Sequence, residues 1–118
     1  MKVMISMPMN GRSDEEVINE FNRITEEFNK LHIDVVDSYF VDEVVNYIHP
    51  EIYYMAKSID MMGKVDAVYF VKDWHSSRGC RIERQVALEY GLKILEHDFL
   101  DIMSEIATVK TIDEEVSE

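Results

Sequence analysis

The stretch WHSSRGCRIERQVALEYG, residues 74–91, carries its chemistry on Ser76, Ser77, Arg78, Gly79 and Glu83. At about 100° per residue, Gly79, Val86, Ala87 and Tyr90 fall within about 60° of Glu83 around a helix. That arc should pack inward, so Glu83 is a carboxylate in apolar company. Such a group is costly unless it is paired, hydrogen-bonded or open to a wet cavity. In a cavity it can act as a nucleophile or a base. The structural alternative is a carboxylate bonded to Arg81, Arg84 or a backbone amide at the helix rim. Upstream, the serine hydroxyls, the free amides of a helix start and Arg78 together suit a phosphate.

Positioning these groups requires a helix over about 79–90, closed by Gly91, and a strand before it. DAVYFV (66–71) is a continuous apolar run of the kind a parallel sheet buries. KVMISM (2–7) reads as the first strand and stops at Pro8 and the Asn10-Gly11 turn. Ser13 and Glu16 form a capping box, and Val17, Phe21, Ile24, Phe28 and Leu31 follow at helical spacing. HIDVVDSYF (32–40) is the expected second strand. Pro50 opens a helix with Ile52, Met55, Ile59 and Met62 as its apolar stripe, LKILEH (92–97) is a fourth strand, and a short helix covers about 99–107. Alternating strands and helices predict a doubly wound α/β fold, a parallel sheet of four to five strands flanked by helices.

That fold class directs attention to the loops beyond the carboxyl ends of the strands. SMPMNGRS and KDWHSSRGC are the two candidates; each ends near a helix start with a serine and holds an arginine beside a glycine, Arg12 with Gly11 and Arg78 with Gly79. Ordinary helix capping is the alternative for both. Met7 and Met9 could line an adaptable pocket for a base. Trp74 stacks on a base or packs over the entrance.

The 118 residues, 47% hydrophobic, make one domain without repeats or linkers. No run approaches the roughly 18 apolar residues of a membrane span, and MKVMISMPMNG is not read as a signal peptide. The lone Cys80 has no disulfide partner in the chain, which agrees with a cytoplasmic setting; near a helix start its thiol is either activated or simply structural. His32, His49, His75 and His97 show no metal spacing. A net charge of −12 disfavours nucleic acid and anionic membranes as partners but not a small anion held by local amides and arginines. DEEVSE at the C-terminus reads as an acidic tail over 111–118.

The stretch YMAKSIDMMGKVDAVYFVKDWHSSRGCRIERQVALEYGLKIL resembles the core of the nucleoside 2-deoxyribosyltransferase-like superfamily. It is most similar to a small branch reading roughly Y-M-x-x-D, then D-A-[IV], then W-x-x-S-x-G-A-x-x-E-x-x-x-A, and KVMISMPMNG resembles that branch's first strand and loop. The resemblance implies a single such domain over 1–110. It implies a nucleoside or nucleoside 5′-monophosphate N-glycosidase or deoxyribosyltransferase, similar to deoxynucleoside monophosphate N-glycosidases and needing no cofactor. Glu83 would then attack the anomeric carbon, and Ser77 would hold the 5′-phosphate. Met7, Pro8, Asn10, Gly11, Ser58, Trp74, Arg78 and Gly79 would line the ligand site, in a homodimer or higher homo-oligomer. Two positions depart from the pattern: the acid assisting the leaving base aligns with Ser58, and the strand-one tyrosine with Met4. Asp60, about 200° around the helix from Ser58, cannot simply substitute, and Asp66 is a candidate replacement. The same pocket without its acid gives the alternative, a non-catalytic nucleotide-binding module.

Overall fold

The computed structural model describes residues 1–40 and 42–116, with 109–116 as helical backbone alone. In chain order it contains β1 (Lys2–Ser6), α1 (Asp14–Lys30), β2 (Asp34–Val35), α2 (Pro50–Met62), β3 (Ala67–Phe70), α3 (Arg78–Glu89), β4 (Lys93–Leu95) and α4 (Phe99–Val116). The four strands form one parallel sheet in the order β2-β1-β3-β4. Val3 pairs with Val35 on one side and Ala67 on the other, and Ser6 lies beside Phe70. The α/β expectation holds, with four strands.

Side-chain alternation along β1 divides the core. Val3, Ile5 and Met7 join Val17, Ile24 and Phe28 of α1 and Leu100 of α4 on one face. Met4 points to the other face, with Met62 of α2, Ala87 of α3, Val68 and Phe70. Ser6 shares that parity, so its hydroxyl faces α2 and α3. Because sequential parallel strands cross over by helices, α1, α2 and α3 run against the strands. The starts of α1 and α3 therefore meet the carboxyl edge of the sheet.

Local capping explains the helix limits. Ser13 and Ser77 each accept a bond from the backbone N–H three residues on, Glu16 at 3.1 Å and Cys80 at 3.3 Å. Gly91 takes the left-handed conformation (φ +71°) just past α3.

Three expectations need correction. The second strand is two residues long, not nine. Beyond Val36, which still donates to Val3 O, Asp37 accepts the Tyr39 N–H at 3.1 Å and Ser38 Oγ turns to Ile5 O at 3.3 Å. These side chains compete with ladder pairing and end it. The apolar stripe of α2 is rotated: Met62 is buried and Met55 half-buried, but Ile52 and Ile59 are 60% and 39% exposed. The last helix, expected over about 99–107, continues to Val116, so most of the segment expected as a tail is helical.

Phe28 is fully buried and packs edge-on against Tyr69 at 5.2 Å and stacked with Phe99 at 5.9 Å. Phe28→Ala should lower unfolding stability by about 3–5 kcal/mol in urea titration. A loss under about 1 kcal/mol would contradict this packing.

Candidate functional site

Glu83 lies in the second turn of α3, 8% exposed, on the face turned to β1. Its Oε1 accepts a hydrogen bond from Ser6 Oγ at 3.2 Å, and Ser6 is itself 1% exposed. Neither neighbouring arginine neutralises it. Arg81 donates to His75 O at 2.8 Å, while Arg84 pairs with Glu96 and lies over the Trp74 and Phe70 rings. The salt-linked alternative for Glu83 is thus not what the structure contains. Burial pushes the Glu83 carboxyl up from an ordinary 4.5 to about 7, and the Ser6 bond pulls down against it. At neutral pH the group stands near the midpoint between its two forms.

Around Glu83 the end of β1 and the first turns of α3 bring the Ser6, Ser77 and Cys80 side chains together. Ser77 caps α3 one turn earlier, half-buried, and Cys80 beside it is 2% exposed. Burial raises the Cys80 thiol above its usual value, with the Ser6 and Ser77 hydroxyls opposing, as fits a structural cysteine. A Cβ on Gly79 would lie 3.4 Å from Met55 Cε, an ordinary contact that places Met55 level with Gly79. Met62 and Ala87 share one apolar cluster a turn or two further on. Ser58, in the middle of α2, is half-buried.

The candidate replacement for the missing acid, Asp66, is engaged elsewhere, and so is Asp60. Asp66 Oδ2 accepts the Lys2 N–H at 2.7 Å, at the amino end of the sheet, opposite the Glu83 end. Asp60 is exposed and pairs with Lys64 at 3.1 Å.

The other predicted site residues divide between two places. Pro8 and Asn10 line a crevice of about 750 Å³ on the α1/α4 side of the sheet, with Arg12, Lys72, Ser76 and Tyr69. Arg12 is spent there, donating to Pro8 O at 3.0 Å and Glu20 at 3.2 Å. Glu83, Ser77, Gly79 and Ser58 are not among its walls. Met7, expected in a base pocket, is 4% exposed and packed into the α1-side core because its parity is that of Val3 and Ile5. Met9 and Gly11 are exposed, Gly11 in the turn at φ +77°. Trp74 is half-buried between Phe70, at 6.0 Å, and the Arg84 guanidinium, at 4.4 Å, which favours packing over base stacking. Arg78 is exposed at the first position of α3.

Sequence reasoning missed Ser6 and Ser38. Ser6 was legible as the lone hydroxyl in an apolar strand, two residues from Met4. Ser38 is 7% exposed and ties the chain after β2 to the Ile5 carbonyl, but nothing in its spacing marks it.

The parallel sheet, with capped helix starts at its carboxyl edge, defines an α/β protein of flavodoxin-like strand order. The chain belongs to the family described as "Domain of unknown function (DUF4406)", whose model matches residues 1–96 and so takes in every candidate residue named above. No curated protein and no solved structure matches it.

A carboxyl held at about 7 in the folded chain, against 4.5, favours the protonated folded state. That contribution is complete below pH 4.5 and is lost as pH rises through 7, about 3 kcal/mol at roughly 1.4 kcal/mol per unit. Glu83→Gln should therefore be about 2–3 kcal/mol more stable than the native chain at pH 8 in urea, and nearly equal to it at pH 4.5. An unchanged difference across that range would contradict the buried, unpaired carboxyl.

Proposed function

We propose that the chain is an N-glycosidase or deoxyribosyltransferase acting on a nucleoside or its 5′-monophosphate, with Glu83 as the nucleophile. One observation carries this reading: a buried carboxylate with no cationic partner among the described residues stands at the carboxyl edge, bonded by a single serine. A structural carboxylate would carry a salt link or several amides. The likeness of the Trp74–Ala87 spacing to the deoxyribosyltransferase-like superfamily supports the same role.

The chemistry follows from ordinary glycosyl transfer. Ionised Glu83 attacks the anomeric carbon, forming a C–O bond as the C–N bond breaks, and the base leaves with the bonding electrons. Water or a second base then attacks the same carbon and releases the carboxylate. The 5′-phosphate would rest on the Ser77 hydroxyl and the free amides at the start of α3.

A second reading is favoured by a specific observation. Asp66, the candidate replacement, is bonded at the amino end of the sheet, Asp60 pairs with Lys64, and the side chain bonded to Glu83 is the Ser6 hydroxyl. A site without an acid for the leaving base would bind nucleotide without cleaving it.

Incubation with a panel of nucleosides and monophosphates, following free base by chromatography, separates the two. The first reading predicts release that increases as pH rises through about 7 and is lost in Glu83→Ala. Release that survives Glu83→Ala removes the nucleophile role; saturable binding with no release from any substrate selects the binding module. Ser77→Ala should weaken monophosphates by about tenfold over nucleosides in titration calorimetry. Equal losses would overturn the phosphate assignment.

A further inference from the structure

Between α1 and α4, on the face of the sheet away from Glu83, lies the crevice of about 750 Å³ that Pro8 and Asn10 help to line. A space of that size takes a small organic molecule. Its floor is apolar and closed. Ile24, Val71 and Leu100 are buried, and so is Tyr69, whose hydroxyl already donates to His97 O at 3.0 Å. The floor offers apolar contact with its one hydroxyl spent, so recognition falls to the charged rim.

Three of the charged side chains around the crevice are engaged. Arg12 pairs with Glu20 at 3.2 Å, and Glu27 with Lys30 at 3.2 Å. The other four, Arg23, Lys72, Asp73 and Asp101, form no ion pair among the described residues. Two cations and two carboxylates thus stand around one cavity without closing on each other. Two of them act on the floor itself. Burial raises the Tyr69 hydroxyl above its usual value, the Arg23 charge opposes that rise and the Asp101 charge adds to it. α1 and α4 therefore bring opposite charges to the same tyrosine.

This arrangement selects a ligand class. A simple anion drawn to Arg23 and Lys72 would also face Asp73 and Asp101, and a simple cation would meet the reverse. The chain's net charge of −12 further disfavours a polyanion. A molecule with one charge of each sign satisfies both sets at once, through charge-assisted bonds. Leu100 and Asp101 lie beyond residues 1–96, so one wall of the crevice stands outside the family match.

We propose that this crevice is a second ligand site, taking a small zwitterion with an apolar body, a free amino acid or a dipeptide. Its carboxylate lies against Arg23 and Lys72, its ammonium against Asp73 and Asp101, and its side chain on the apolar floor. The site is independent of what Glu83 does.

Isothermal titration calorimetry of the full chain with leucine and with leucyl-leucine tests it. Saturable binding of either is the expected result, and the tighter of the two identifies the source. N-acetylleucine, which lacks the ammonium charge, and leucinamide, which lacks the carboxylate, should each bind at least tenfold more weakly than leucine. Arg23→Ala combined with Lys72→Ala, and separately Asp101→Asn, all at exposed positions, should weaken the tighter ligand about tenfold with circular dichroism unchanged. No saturable binding of either zwitterion overturns the proposal, as do blocked forms that bind as well as leucine. A nucleoside 5′-monophosphate that displaces the bound zwitterion would make the crevice part of the nucleotide site and overturn it equally.

Discussion

A hydrogen bond from Ser6 to Glu83, made where water is largely excluded, is the constraint around which the candidate site is organised. It joins the end of the central strand to the second turn of α3, two elements 77 residues apart in sequence. Burial makes the ionised carboxylate costly, and one hydroxyl offsets only part of that cost. The result is a carboxyl near its midpoint at neutral pH, able to give or take a proton with little driving force either way. Side-chain parity completes the constraint. Ser6 faces α2 and α3 only because the pleat of β1 sends Ile5 and Met7 to the other side.

The same parity accounts for what the sequence disclosed and what it withheld. The long periodic elements were legible: the apolar spacing of α1, the buried run of β3 and the capping serines Ser13 and Ser77 all appear where local pattern places them. Glu83 was legible too, since a charge on an apolar arc needs only the 3.6-residue period to be seen. In the loop between β1 and α1, Met7 departs from expectation for a tertiary reason, its burial in the α1-side core. The rule that ligands bind beyond the strands' carboxyl ends, together with the family resemblance, put Met7, Pro8 and Asn10 in one site with Ser77. Instead, Pro8 and Asn10 line the crevice on the α1 side, and Glu83 lies on the face turned to α2 and α3. Residues 32–40 read as a strand by composition, but Asp37 and Ser38 offer their side chains to nearby backbone and stop the ladder. For α2, hydrophobicity alone could not distinguish a core face from an exposed one, because both are apolar.

Those two faces give α2 a double position in the molecule. Met55 and Met62 bring it against α3, Met55 beside Gly79 and Met62 in one cluster with Ala87, while Ile52 stands exposed. Trp74 has a comparable supporting role. Held by Phe70 and by an Arg84 already paired with Glu96, it fixes the turn that leads into Ser77 and leaves Arg84 unable to neutralise Glu83.

Carbon-13 NMR titration of the Glu83 side-chain carboxyl, assigned by its disappearance in Glu83→Gln, tests the central claim most directly. A midpoint near 7, moved upward when Ser6 is replaced by alanine, is the expected result. A midpoint at the ordinary 4.5, unmoved by loss of the serine, would mean that the carboxylate is solvated and that no such site exists.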